Sequence, residues 1–323
     1  MEWTPLNLEN FKTYSIYDRI NKARVEQFSK LWSRNIKISE FINILPESFA
    51  ADDLRKVIKH TANAITHGRT VLLGMGAHPI KVGLSPILIQ ALRNGVFTGF
   101  ATNGAGLIHD VEVALCGGTS ENVAEHVRNG SFGAVRETAE FIHEAVADGL
   151  KRFPEKGLGW NVGRFVFDHD LPYCRYSIFA TAYELDIPAT VHVAIGTDIV
   201  HMHPKMDGAA MGALSHTDFR IFSHVVSTLD QGIYINLGSA VVMPEVFLKA
   251  VSLVRNLGYT LEDFVTVNFD FQVHYRPLKN VVERPVAPKG KGYNLVGHHE
   301  IMFPLFLCAV MEEMVKHNGD SVE

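Results

Sequence analysis

Residues 70–110, TVLLGMGAHPIKVGLSPILIQALRNGVFTGFATNGAGLIHD, decide the fold. TVLLGM is a short, wholly apolar run that stops in a glycine turn. SPILIQALRNG follows, with apolar side chains three and four residues apart and an Asn-Gly stop, and VFTGFATNGAG then repeats the design. A run too apolar for one-sided exposure predicts a strand buried on both faces, and the helical spacing after it predicts the crossover that a parallel neighbour requires. Working outward, IPATVHVAIGTD (187–198), GIYINLGSAVV (232–242) and DFVTVNFD (263–270) supply a third, fourth and fifth strand. ENVAEHVRNG (121–130), GAVRETAEFIHEAVADGLKRF (133–153) and IMFPLFLCAVMEEM (301–314) have helical spacing. The expected architecture is α/β: one Rossmann-like domain over residues 61–323, a mostly parallel sheet with helices on both faces. KARVEQFSKLW (22–32) and ADDLRKVIKHTANAI (51–65) predict a helical N-terminal extension over residues 1–60.

Composition narrows the function. The 323 residues are 47% hydrophobic and 20% charged, enough to bury a full core. Lys+Arg 30 against Asp+Glu 35 gives a formal net charge of −5, without the basic surplus of a nucleic-acid binder. Cys116, Cys174 and Cys308 lie far apart and form no CxxC, which argues against a disulfide framework or thiolate metal site and suits a cytoplasmic protein. No run approaches the ~18 apolar residues of a membrane span, and MEWTPLNLENFK lacks a signal pattern. The 16 histidines stand out, because imidazole ligates metals and moves protons near neutral pH.

Ligands of open parallel sheets sit at the carboxyl ends of the strands, and the polar motifs of this chain follow its strands. GMGAHPIKVG (74–83) is not GxGxxG; it is either a ligand-receiving turn with free N–H groups or an ordinary βα turn. TNGAGLIHD (102–110) predicts a ligand-facing loop with His109 at hand, and Asp110 is either part of it or a helix-terminal acid. In GTDIVHMHP (196–204), Asp198 stands beside His201 and His203, which share a face if the segment is extended. With His109, His298 or Glu300 these histidines compose a zinc or iron site; otherwise they line a polar pocket without metal. No GxSxG occurs, which leaves no serine elbow. KGKG (289–292) is an exposed turn or, folded over a pocket, a source of Lys289 or Lys291 for an anion.

The order of these pieces resembles the deoxyhypusine synthase family. The resemblance runs over roughly residues 60–315, through VLLGMGAHPIK, ATNGAGLIHD, VHVAIGTDIVHMHP, VVMPEVFLKAVSLVRNLG, Asn268, YRP (275–277) and HHEIMFPLFLCAV. It implies a Rossmann-like fold, NAD as cofactor, and a homotetramer with sites at subunit interfaces. By motif position it implies cofactor contacts at Gly76, Ala77, His78, Lys81, Asn103, Gly104, Ala105, His298 and His299, with Asp270 at the end of its strand. Asp198 and His203 match the family's aspartate and substrate-facing histidine, and His109 stands where the family has a glutamate. The family's polyamine loop is about five residues shorter here, and its imine-forming lysine, counted from Arg276-Pro277, falls on Pro285. An imine needs a primary amine, so Lys279, Lys289 or Lys291 would have to replace it.

Three expectations follow. The first is a deoxyhypusine synthase-like, NAD- or nucleotide-binding enzyme acting on a small amine or polar metabolite, with His203, Asp198 and His109 as acid–base groups and deoxyhypusine synthesis itself disfavoured. The second is a metal-dependent hydrolase or lyase built on His109, His201, His203 and His298. The third is a ligand-binding protein without catalysis. None of the three involves nucleic acid or a membrane.

Overall fold

The computed structural model describes residues 3–319. Its centre is a six-stranded sheet of order β3-β2-β1-β4-β5-β6, parallel throughout, formed by β1 (Val71–Met75), β2 (Gly99–Asn103), β3 (Ala189–His192), β4 (Ile233–Leu237), β5 (Val265–Asp270) and β6 (Lys291–Val296). Leu73, Met75, Ile235, Leu237, Val267 and Phe269 face one layer, which includes helices Phe49–Thr66 and His299–Gly319. Leu72 and Tyr234 face the other, against Phe222 of helix Gly208–Ser227 and Phe247 of helix Val242–Asn256. Tyr234 lies flat on Phe247, with ring centroids 3.8 Å apart. Among the described residues no helix is long and apolar enough to cross a membrane.

Three departures from expectation have physical causes. A sixth strand begins inside KGKG: Lys291 pairs with Val265 in parallel register, so the segment is sheet and not a free turn. The helix expected over KARVEQFSKLW is absent, with only Val25–Gln27 forming a single 3-10 turn. Eleven residues make a marginal helix without a surface to pack on, and Val25, Phe28, Leu31 and Trp32 are all exposed. Helix Phe49–Thr66 does form, but it crosses the expected 60/61 boundary and buries Leu54, Val57, Ile58 and Ala62 in the main core. Residues 1–2 and 320–323, the outer ends of the two expected segments, lie outside the described residues.

Polar side chains do two structural tasks. Across β4, β5 and β6, Asn236, Asn268 and Asn294 stand in register. Asn236 Nδ2 donates to Asn268 Oδ1 (2.7 Å), and Asn268 Nδ2 donates to Asn294 Oδ1 (2.8 Å). At the other edge, β3 has no further strand beside it. There Val191 N–H donates to Asp218 Oδ2 (2.7 Å), Val193 N–H donates to Ser215 Oγ (3.2 Å), and Ser215 donates to the Val191 carbonyl (3.0 Å). The same Asp218 oxygen accepts from Gly159 N–H (2.9 Å) in the first turn of helix Gly157–Asp168. Burial pushes the Asp218 carboxyl well above the ordinary carboxylate range, while these N–H groups pull it back only in part.

Asp218→Ala leaves two buried donors without an acceptor and should cost about 2–6 kcal/mol, at 1–3 kcal/mol for each. Asp218→Asn keeps an acceptor oxygen and should cost less. Urea unfolding of the two variants checks the order, and equal losses would remove the edge-closing role.

Candidate functional site at the strand ends

In the order β3-β2-β1-β4-β5-β6, successive connections leave in opposite directions from β1 and β4, which puts the crevice between their carboxyl ends. The chain fills that crevice with its own groups. A Cβ on Gly76 would overlap the Gly238 carbonyl, and Gly238, at φ +62°, lies under the ring of His299. His299 is 1% exposed. Its Nδ1 is 2.8 Å from Nδ1 of His78, and its Nε2 is 3.9 Å from Asp270 Oδ1. Burial lowers its pKa, partly offset by the Asp270 carboxylate. The Phe271 ring packs 5.2 Å from His78 and 5.6 Å from His299, and lies parallel to the exposed His298 at 6.4 Å.

A second group forms where β2 and β3 end. Asn103 caps helix Gly104–Cys116, its Oδ1 accepting from Gly106 N–H (3.0 Å). Gly104 has no side chain because the Asp198 carboxylate occupies that space. His201 Nδ1 accepts from the N–H groups of Gly196 (3.1 Å) and Asp198 (3.2 Å). The ring proton therefore sits on Nε2, 3.8 Å from Asp198 Oδ2. Both facing atoms are buried without another partner. Burial pushes the Asp198 carboxyl up to about 6 and lowers the His201 pKa. The pair is thus a neutral imidazole beside a carboxyl that changes charge close to neutrality, a combination suited to giving and taking protons.

The remaining candidates separate. The 3-10 turn Ile199–Met202 brings His201, not His203, against Asp198. His203 instead stacks on the buried His143 at 5.9 Å, its Nδ1 accepting from Lys205 N–H. His109 Nδ1 meets Thr119 Oγ1 at 2.5 Å and lies 3.7 Å from Glu112. Asp110 points inward and receives Ser177 Oγ–H and Ile178 N–H at the start of helix Ile178–Glu184, with burial pushing it up to about 6. Lys81 is exposed on the short helix His78–Lys81 beside the crevice, and Ala77 and Ala105 are half-buried at the turns. Lys289 and Lys291 lie at the amino end of β6, Lys289 paired with Glu262, and Pro285 is held there by Arg255. They stand at the opposite end of the sheet from the polar clusters. Lys279 pairs with Glu283.

The expected metal cluster is not assembled. Among the described residues no group of three or more His, Cys, Asp or Glu side chains is placed to hold a metal ion, because His109, His201, His203 and His298 each face a different neighbour. A cavity of about 300 Å³ lies elsewhere, under Ala23–Ser29 beside Pro46 and Ser48. The sequence did not single out Phe271 or pair His201 with Asp198. The HxH spacing carried the second signal, but only the backbone turn decides which histidine answers to Asp198.

The Asp198 shift fixes a sign. A carboxyl raised to about 6 in the folded chain, against ~3.9 when unfolded, binds its proton more tightly in the native state. Its contribution to stability is full below pH ~4 and is lost as pH rises through ~6, by about 2–3 kcal/mol. Asp198→Asn should remove that part of the decline, so the variant's stability relative to the parent should be greater at pH 7.5 than at pH 4. Urea unfolding at both values checks this, and an unchanged difference would mean that Asp198 is not held as described.

No protein-family model matches the chain, and no curated protein matches it. Solved structures do. A protein from Entamoeba histolytica assigned as a deoxyhypusine synthase superposes with TM-score 0.54 at 13% identity, over 86% of this chain and 94% of its own. An LOR/SDH protein from Methanococcus maripaludis superposes with TM-score 0.50 at 17% identity, over 83% and 71%. Unliganded AgrE superposes with TM-score 0.51 at 13% identity over 82% of this chain, which spans only 32% of AgrE. The chain therefore has the Rossmann-like α/β fold that these proteins share, the fold expected from its likeness to deoxyhypusine synthase.

Proposed function

We propose that the chain is a deoxyhypusine synthase-like enzyme that binds NAD or a related nucleotide and acts on a small amine or polar metabolite. The observation that carries this reading is the gathering of Asp198–His201 and His78–His299–Asp270 at the carboxyl ends of one parallel sheet. A binding protein has no need of buried acid–base groups with facing, otherwise unpartnered atoms. Asp198 with His201 is the proton-handling pair of this reading, in place of the His203 implied by the family motif. His109, held by Thr119 and Glu112, lies more than a turn into the helix that begins at Gly104.

The dinucleotide fits the rim of the site and not the crevice, which the His299 ring already fills over Gly238. On the rim, Phe271 offers a ring face, Lys81 and His298 offer donors to phosphate, and the helix beginning at Gly104 offers N–H groups. When bound, such a cofactor supplies a hydride acceptor. The chain's own residues orient the substrate and hold its protons. Deoxyhypusine synthesis is disfavoured, since the position of the family's imine lysine is Pro285, at the other end of the sheet. The three unpaired cysteines suit the proposed cytoplasmic setting.

A homotetramer with sites at subunit interfaces belongs to the same reading. Its support is the set of exposed apolar side chains that ends or follows strands β3 to β6, Ile195, Val241, Val273, Val296 and Ile301.

NAD at ~1 mM, with a dissociation constant near 10 μM, should stabilise the native chain by about 2.7 kcal/mol and raise Tm by about 4 °C. Absence of any shift removes the cofactor from the reading; a shift without turnover of any amine or alcohol leaves a binding protein. Sedimentation velocity should return a tetramer, and a monomer at micromolar concentration would sink the interface proposal.

A further inference from the structure

We propose that Asp270, His299 and His78 form an aligned triad whose outer atom, His78 Nε2, is a general base for a hydroxyl or amino group of a small polar substrate. The proposal rests on reading the strand ends as an enzyme's site, and it adds a base on the β1 side of that site, apart from Asp198.

The tautomers follow from the contacts. Two imidazole Nδ1 atoms at 2.8 Å cannot both carry hydrogen or both lack it, so one ring donates and the other accepts. His299 Nε2 decides which. It is buried without a hydrogen-bond partner and faces Asp270 Oδ1 at 3.9 Å. A carboxylate only accepts, so His299 carries its proton on Nε2 toward Asp270 and presents a lone pair at Nδ1. His78 then donates from Nδ1 and keeps a lone pair at Nε2. Among the described residues no hydrogen bond occupies that atom, and the ring is half-buried against Phe271.

In the step itself, the substrate O–H or N–H bond breaks, its proton bonds to His78 Nε2, and its electron pair stays on the substrate oxygen or nitrogen. The positive charge rests on His78, whose Nδ1–H remains hydrogen-bonded to His299. His299 stays neutral, because the charged form of a ring this buried is disfavoured. Asp270 lies behind it and answers the charge through the imidazole. His78 is the catalytic residue; His299 and Asp270 are positioning residues. The other groups facing the triad are His298 and Glu300, themselves 3.9 Å apart at the start of helix His299–Gly319, and Lys81 on the helix that His78 begins.

Nitrogen-15 NMR of histidine side chains in the full chain at pH 8 tests the assignment without a substrate. The expected result is a protonated Nε2 and bare Nδ1 for His299, with the reverse for His78. The opposite pattern would leave His78 no free basic nitrogen and overturn the proposal. In Asp270→Asn the amide N–H₂ group favours a lone pair on His299 Nε2, which should reverse both tautomers. The carbethoxylation of His78 by diethyl pyrocarbonate should then slow by at least about tenfold. A purely structural Asp270 would lower Tm and leave tautomers and rate unchanged. A missing NAD shift leaves the tautomers untouched, so the two readings fail separately.

Discussion

An open sheet edge presents a row of N–H and C=O groups with no strand to receive them. On the β3 side that row is received by a single helix, where Asp218 and Ser215 stand in for the missing backbone. One oxygen of Asp218 also takes Gly159 N–H, so the edge of the sheet and the start of the neighbouring helix are fixed by one buried carboxyl. With β3 held on both sides, the chain leaves Val193 in a defined direction. The turn that follows then delivers Asp198 over Gly104 and not into solvent. The Asp198–His201 pair of the candidate site thus hangs on a carboxyl that belongs to no site at all.

Glycine at the strand ends has a different meaning here from an open phosphate cradle. Gly76 admits the Gly238 carbonyl, Gly104 admits the Asp198 carboxylate, and Gly238 admits the His299 ring. Each small residue accommodates a polar group of the chain itself. The result is a floor of preplaced imidazoles and carboxyls at the strand ends. His201 and His299 both have pKa values lowered by burial. They therefore stand as hydrogen-bonding frames, while burial raises the Asp198 carboxyl beside His201 toward neutrality.

Much of this was legible in the sequence. The glycine turns after VLLGM and FATN, and the polar residues after ATVH, INL and VNFD, located the strand ends, since continuous apolar runs bounded by glycine admit few other folds. What escaped did so for physical reasons. KGYNLV carries too much polarity to be recognised as a strand, and it pairs because β5 offers a complete parallel ladder. KARVEQFSKLW has helical spacing but no surface to bury it, and spacing alone does not hold eleven residues in a helix. The family motif pairs Asp198 with His203. The 3-10 turn Ile199–Met202 exchanged the two histidines, and nothing in DIVHMHP specifies that turn.

The asparagines of β4, β5 and β6 carry one more consequence. Strands made of valine, isoleucine and phenylalanine tolerate sliding: a shift of two residues keeps every apolar side chain on its own face. Asn236, Asn268 and Asn294 remove that freedom. If β5 slid by two positions, Asn268 would lose both neighbours at once, and up to three amides would be stranded in an apolar layer, each at about 1–3 kcal/mol. Alignment of the three strands thus becomes a single decision shared among them. Asp270, which ends β5, and His299, which follows β6, arrive at matching heights as a result.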